Sequence, residues 1–131
     1  MTIKEVAEKY HISQDTLRYY ERIKMIPEVT RTSGGIRDYQ EEDLTWVELA
    51  ICMRSAGLPI EVMIEYVKLF QQGDDTIPAR LELLNNQMDV LKSQKKQIEE
   101  TMGRLSYKIS RYKKALKTGK LVWDKEGENE K

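Results

Sequence analysis

The sequence predicts a mainly α-helical chain: a helix-turn-helix, an arginine-bearing hairpin, two further helices, and one long helix that needs a partner. Three observations carry this expectation. Residues 2–22 hold two short amphipathic patterns separated by His11-Ile12-Ser13. A Gly34-Gly35 pair lies between short segments that carry Arg31, Arg37 and Tyr39. From Ile77 to Leu116, apolar residues recur in alternating steps of four and three.

The first helix is predicted to start at once, because Thr2 followed by Glu5 matches a capping box. Ile3, Val6, Ala7 and Tyr10 then share one apolar face. His11-Ile12-Ser13 breaks the pattern, and Ser13 suits the N-cap of the next helix. Two short helices joined by such a turn make a helix-turn-helix. His11 is read as a turn residue, since no second His and no Cys lies near it. In the stretch Ser13 to Arg22, Leu17 and Tyr20 lie three apart and face a core, while Gln14, Arg18 and Arg22 recur every fourth residue as an outward stripe. Gln and Arg have planar ends that hydrogen-bond base edges or phosphates in two places at once. That makes the stretch a candidate recognition helix, against the commoner alternative of an ordinary surface helix.

Pro27 is expected to end the second helical region. The Gly-Gly pair flanked by short extended runs is a hairpin signal. Arg37 and Tyr39 would share a face of a strand, with Arg31 on the opposing arm. Such a tip suits a phosphate backbone, although a plain surface hairpin with solvated arginines has the same pattern.

Glu41, Glu42 and Asp43 crowd a helix N-terminus, where the dipole favours acids. That helix is expected to run to about Ala56, with Gly57 at its end. Leu44, Trp46, Val47, Leu49, Ala50, Ile51 and Met53 cover most of its circumference, so it should be largely buried. Thr45, Glu48, Cys52 and Ser55 leave one narrow polar stripe. Pro59 favours a first-turn position. Ile60, Met63, Ile64, Val67 and Phe70 form a seam that runs to Gln72 and stops at Gly73.

The heptad seam of the last segment reads Ile77, Leu81, Leu84, Met88, Leu91, Lys95, Ile98, Met102, Leu105, Ile109, Tyr112 and Leu116. A lone helix of this length would leave its seam wet. The preceding helices are too short to cover it, so a second copy of the helix is the expected partner, giving a two-fold homodimer. Lys95 is the only charge on the seam, and a polar residue there trades stability for register. After Gly119 the pattern stops. Lys120-Leu121-Val122-Trp123 is read as packing back locally, and residues 124–131 as a charged, frayed end.

Composition bounds the function. The chain has 131 residues, 40% hydrophobic and 34% charged, which fits a small domain with long solvated helices. A formal net charge of zero does not favour nucleic-acid binding globally. The distribution is uneven, however. Between Met88 and Lys120, ten Lys and Arg residues face only Asp89, Glu99 and Glu100. The single cysteine excludes an internal disulfide and fits a reducing compartment. No apolar run approaches the ~20 residues that span a bilayer, and the N-terminus lacks a signal-peptide apolar segment. A cytoplasmic protein without a membrane partner is expected. One His and one Cys far apart, with no Gly-rich phosphate loop, argue against an enzyme and against any cofactor.

The chain resembles the MerR family of bacterial transcription regulators. The resemblance rests on Thr-Leu-Arg-Tyr-Tyr-Glu (Thr16 to Glu21), Gly-Ile-Arg-Asp-Tyr (Gly35 to Tyr39), Asp43-Leu44 and Arg-Ser-Ala-Gly-Leu-Pro-Ile-Glu (Arg54 to Glu61), followed by the long helix. It implies a winged helix-turn-helix DNA-binding domain over residues 1–73, an antiparallel coiled-coil dimerisation helix over 74–117, and a short charged tail over 118–131. It also implies DNA contacts by Arg18, Tyr19 and Tyr20 on the recognition helix and by Arg37 and Tyr39 on the wing, with Arg31 and Arg54 on the backbone; Gln14 of the outward stripe and Thr16 complete the expected DNA-binding set. Leu84, Met88, Leu91, Lys95, Ile98, Met102, Leu105 and Ile109 would form the centre of the dimer. Family members are understood to distort promoters with an over-long spacer so that RNA polymerase engages both promoter elements. That distortion stores a few kcal/mol for a strong bend.

Metal-sensing members carry a cysteine-rich loop after the long helix, and drug-binding members a large C-terminal domain. Neither is written in this sequence, so no metal is expected. The lone Cys52 resembles the branch that answers reactive aldehydes or nitrosative and oxidative stress, in which it would be the sensor. A thiolate can be alkylated, nitrosated or oxidised, more readily beside a base such as Arg54. The alternative is an effector-independent or architectural DNA-binding protein in which Cys52 is only a small core residue.

Overall fold

The computed structural model describes residues 1–123; the charged stretch 124–131 lies outside the described residues. Five α-helices follow one another: α1 (Ile3–Tyr10), α2 (Gln14–Arg22), α3 (Glu41–Ser55), α4 (Ile60–Gln71) and, after a 3-10 turn at Asp74–Thr76, α5 (Ile77–Thr118). Two compact units are present, Met1–Gln87 and Met88–Lys131, and the boundary falls within α5.

The first two helices are set by local chemistry. Thr2 Oγ1 accepts the Glu5 amide at 3.2 Å while Glu5 Oε1 accepts the Thr2 amide at 2.9 Å, so two end donors are satisfied reciprocally. His11 closes α1 in the left-handed region, with φ 56°. Ser13 Oγ then accepts the Thr16 amide at 3.0 Å and starts α2. The helix does not run on to Pro27. It stops at Arg22, because Lys24 turns left-handed with φ 64° and the Met25 and Ile26 amides both bond Tyr20 O. That early turn delivers Met25, Ile26 and Val29 into the core.

No strand forms between α2 and α3. The hairpin is closed by a single antiparallel bridge between Arg31 and Arg37, with Thr32 N–H to Ile36 O at 2.8 Å. The Gly35 amide reaches Thr32 O at 2.9 Å with φ 82°, a conformation glycine adopts without strain. The base of the hairpin is anchored at the N-terminus: the Tyr39 amide donates to Met1 O and the Met1 amino group to Tyr39 O, each at 2.8 Å. Asp43 caps α3 by accepting the Gln40 amide at 2.8 Å.

α3 is less enclosed than its composition predicts. Val47, Ala50 and Met53 are buried, but Leu44, Trp46, Leu49 and Ile51 are only half-buried. Trp46 spends its area on aromatic edges, with ring centroids 5.7 Å from Tyr66 and 5.1 Å from Phe70. Pro59 is the N-cap of α4 rather than a first-turn residue. Gly57 at φ 78° and the buried Leu58 make the turn between α3 and α4.

The passage from α4 to α5 is held by side chains. Thr76 Oγ1 lies 2.6 Å from Leu69 O and 2.7 Å from Gly73 O. Arg80 donates to Thr76 Oγ1 at 3.0 Å and to Gly73 O at 3.1 Å, with its guanidinium 5.5 Å from the centre of the Phe70 ring. The core of the first unit draws on every short helix, through Val6, Leu17, Val47, Ala50, Met63 and Val67. α5 contributes no buried residue. In the second unit the chain after Gly119 returns along α5. Trp123 lies 6.0 Å from Tyr107 and 6.1 Å from Tyr112, and Arg111 Nε donates to Val122 O at 2.7 Å. No helix among the described residues is long and apolar enough to cross a membrane.

Leu17 is fully buried and seats α2 on the core. Leu17→Ala is expected to cost about 3 kcal/mol of folding stability, measured by urea denaturation, because truncating a fully buried leucine loses its transfer free energy and leaves a cavity.

Candidate nucleic-acid interface

The nine residues of α2 divide cleanly. Leu17 and Tyr20 are buried, while Arg18, Tyr19 and Arg22 are exposed and Gln14 is half-buried. Arg18 reaches Asp15 Oδ1 at 3.0 Å and Gln14 Oε1 at 3.2 Å, which extends its fork along the outer face of the helix. Arg22 lies over the Tyr19 ring at 5.4 Å. Thr16 serves the cap, with its hydroxyl 2.8 Å from that of Ser13.

Across from this face stands the hairpin, and one carboxylate joins the two. The Glu21 side chain is only 7% exposed. It accepts Arg37 Nε at 2.7 Å, Arg31 Nη2 at 3.4 Å and the Val29 amide at 2.9 Å. Burial pushes its pKa up, but the Val29 amide, the Arg37 hydrogen bond and the charges of Arg37 and Arg31 outweigh it, so the carboxyl titrates below its usual 4.5. Arg18, Arg22, Lys24, Arg31 and Arg37 line a cleft of about 520 Å³ with Glu21 and Glu28. The end of α4 closes it through Val67 and Gln71.

Other expected site residues lie elsewhere. Tyr39 is 2% exposed, and its hydroxyl is buried without a hydrogen-bond partner among the described residues. Burial pushes its pKa up. It therefore seats the hairpin and does not share an outer face with Arg37. Tyr20, 8% exposed, is likewise a core residue. Arg54 is exposed and donates to Leu58 O at 2.8 Å, bridging the turn between α3 and α4. Cys52 is exposed on the polar stripe of α3, so within the single chain it is not a core residue. Leu84, Met88, Ile98, Met102, Leu105 and Ile109 are exposed along α5. Leu91 is half-buried, and Lys95 sits 3.9 Å from Glu99. Among the described residues no group of three or more His, Cys, Asp and Glu is placed to hold a metal ion.

Glu21, Lys24 and Glu28 are charged cleft residues that sequence reasoning missed. Glu21 was signalled by its place one turn after Leu17, on the seated side of α2. A carboxyl whose folded pKa is depressed adds stability that is present above its unfolded value and lost as pH falls through the folded value. The Val29 amide is therefore expected to be protected from hydrogen exchange at neutral pH and to lose protection selectively as pH drops below 4.5, read by two-dimensional NMR.

The profile of the MerR HTH family regulatory protein matches residues 1–69. The chain is 52% identical over 84 residues to the HTH-type transcriptional regulator AdhR of Bacillus subtilis (strain 168), a match that covers 64% of this chain and 60% of that one. It thus spans less than two thirds of that relative's length. It is 33% identical over 120 residues to an uncharacterized HTH-type transcriptional regulator of Haemophilus influenzae, covering 92% of this chain and 89% of the relative. Its fold is similar to the crystal structure of HiNmlR, a MerR family regulator lacking the sensor domain, bound to promoter DNA. There the TM-score is 0.82 at 33% identity, over 92% of this chain and 95% of that one. A helix-turn-helix with an arginine hairpin, a family profile over its first half and a relative matched over nearly its whole length agree: the chain belongs to the MerR family of transcriptional regulators.

Proposed function

We propose that the chain binds promoter DNA as a homodimer, with α2 in the major groove and the Arg31–Arg37 hairpin on the adjacent phosphate backbone. The cleft carries this reading. Five cations converge between an exposed helix face and a hairpin, in a chain whose net charge is zero. Arg18 and Tyr19 would meet base edges and phosphate, and Arg31 and Arg37 would supply sequence-independent grip. Tyr20 and Tyr39 would act from beneath, by fixing the helix and the hairpin. Gln14 and Arg54 would flank them.

The second copy follows from α5. Its seam from Leu84 through Met88, Lys95, Ile98, Met102, Leu105 and Ile109 stays exposed among the described residues. Two half-sites held at fixed spacing would let the dimer read a palindrome and distort the DNA between the halves. RNA polymerase would take part only indirectly, through the altered promoter. The exposure of Cys52 supports the further reading that reactive electrophiles act on its thiol.

Footprinting on the upstream region of the gene is expected to show protection of a palindrome between the two promoter elements; no preferred site would leave only architectural binding. Arg18→Ala is expected to weaken operator binding by roughly fivefold to 150-fold, corresponding to about 1–3 kcal/mol for a base-contacting side chain. Sedimentation should show its dimer unchanged. Cys52→Ser is expected to bind the operator normally but no longer respond to formaldehyde or methylglyoxal in a promoter assay. Normal induction of that variant would remove Cys52 as the sensor.

A further inference from the structure

The cleft holds a feature that phosphate binding alone does not require: an acid at its centre. Arg31 and Arg37 face each other across the only bridge of the hairpin. Like charges directly opposed across a strand pair repel. The Glu21 carboxylate lies between them, accepts from Arg37 Nε and Arg31 Nη2, and still accepts the Val29 amide. Arg31 Nη1 donates to Gly35 O at 3.1 Å. The two terminal nitrogens of Arg37 have no hydrogen-bond partner among the described residues, and its side chain is 23% exposed. A guanidinium tied through Nε keeps its plane fixed and offers its other edge as a rigid fork, the geometry that matches a phosphate. Glu21 also belongs to α2, one turn from Arg18, so the hairpin is aligned to the same helix that presents Arg18.

We infer that Glu21 is a positioning residue for DNA binding: it holds Arg31 and Arg37 in the pose in which both grip phosphate, and couples that pose to α2. This rests on the DNA-binding reading above. A residue that only stabilised the fold would change the melting temperature and leave the number of phosphates contacted unaltered. A positioning residue changes that number. The number is read from the slope of log affinity against log salt, about 0.9 per phosphate on duplex DNA and independent of sequence.

The experiment measures this slope by fluorescence anisotropy for the full chain on a mixed-sequence duplex. It compares wild type, Glu21→Gln, Arg31→Ala/Arg37→Ala and the triple variant, each shown folded by circular dichroism at the assay temperature. Glu21→Gln keeps an acceptor for the Val29 amide but loses the charge. Its slope is expected to be shallower by about 0.9 for each arginine released. On the arginine-free background Glu21→Gln should produce no further change. If Glu21→Gln does not fold, Glu21→Asp keeps the charge but withdraws it from both arginines, and the same loss of slope is expected. A slope equal to that of wild type in a folded variant, or a further loss on the arginine-free background, would overturn the inference. Wild-type protein that bound the duplex without salt dependence would instead remove the DNA-binding reading, and the inference with it.

Discussion

A buried carboxylate is the constraint around which the first unit is arranged. Taking such a charge out of water costs several kcal/mol unless partners replace the water. Glu21 is carried into that position because Leu17 and Tyr20 seat α2 on the core. Its acceptors are satisfied by groups from beyond the Lys24 turn: a backbone amide at Val29 and two guanidinium groups from the hairpin. The hairpin has one bridge and no strand, too little ladder to define its own position. Seating one helix therefore places a neighbouring loop. Electrostatics that would repel across the hairpin become attraction through a shared acid.

The parts of this fold that were legible in the sequence are those whose causes lie within a few residues of each other. Thr2 with Glu5, and Ser13 with Thr16, are contacts three residues apart, and both caps are where the residue types place them. The exposed stripe of Thr45, Glu48, Cys52 and Ser55 follows from helical periodicity alone. What escaped was decided at longer range. Tyr39 looks like a strand partner of Arg37 by alternation, but its backbone pairs with Met1 and draws the ring inward. Lys24 ends α2 in a left-handed turn that non-glycine residues seldom adopt, so Pro27 was the more visible stop. Glu21 could be suspected of burial from its spacing to Leu17, but its partners lie eight, ten and sixteen residues away. The zero net charge hid the cleft, because composition averages over surfaces that binding does not.

The two units solve the problem of apolar burial differently. Short helices of eight to fifteen residues close over one another in the first. They are joined by tight turns at His11, Lys24 and Gly57 that leave little loop to order. α5 continues for 42 residues and buries none of them. Its seam of Leu, Ile and Met repeats too regularly to be incidental, and Lys95 interrupts it only once. The return of Trp123 onto Tyr107 and Tyr112 covers one patch near the end of α5, and most of the seam stays open to solvent.

An open seam turns abundance into information. When a binding-competent particle needs two chains and most chains are single, the population of that particle rises with the square of chain concentration. Occupancy of a paired site then follows synthesis more steeply than it would for a protein complete in one copy. Dilution, as in cell growth, empties the site faster. If α5 pairs with a second copy as proposed, its long exposed face would make site occupancy depend steeply on expression level, whether or not a chemical signal also acts.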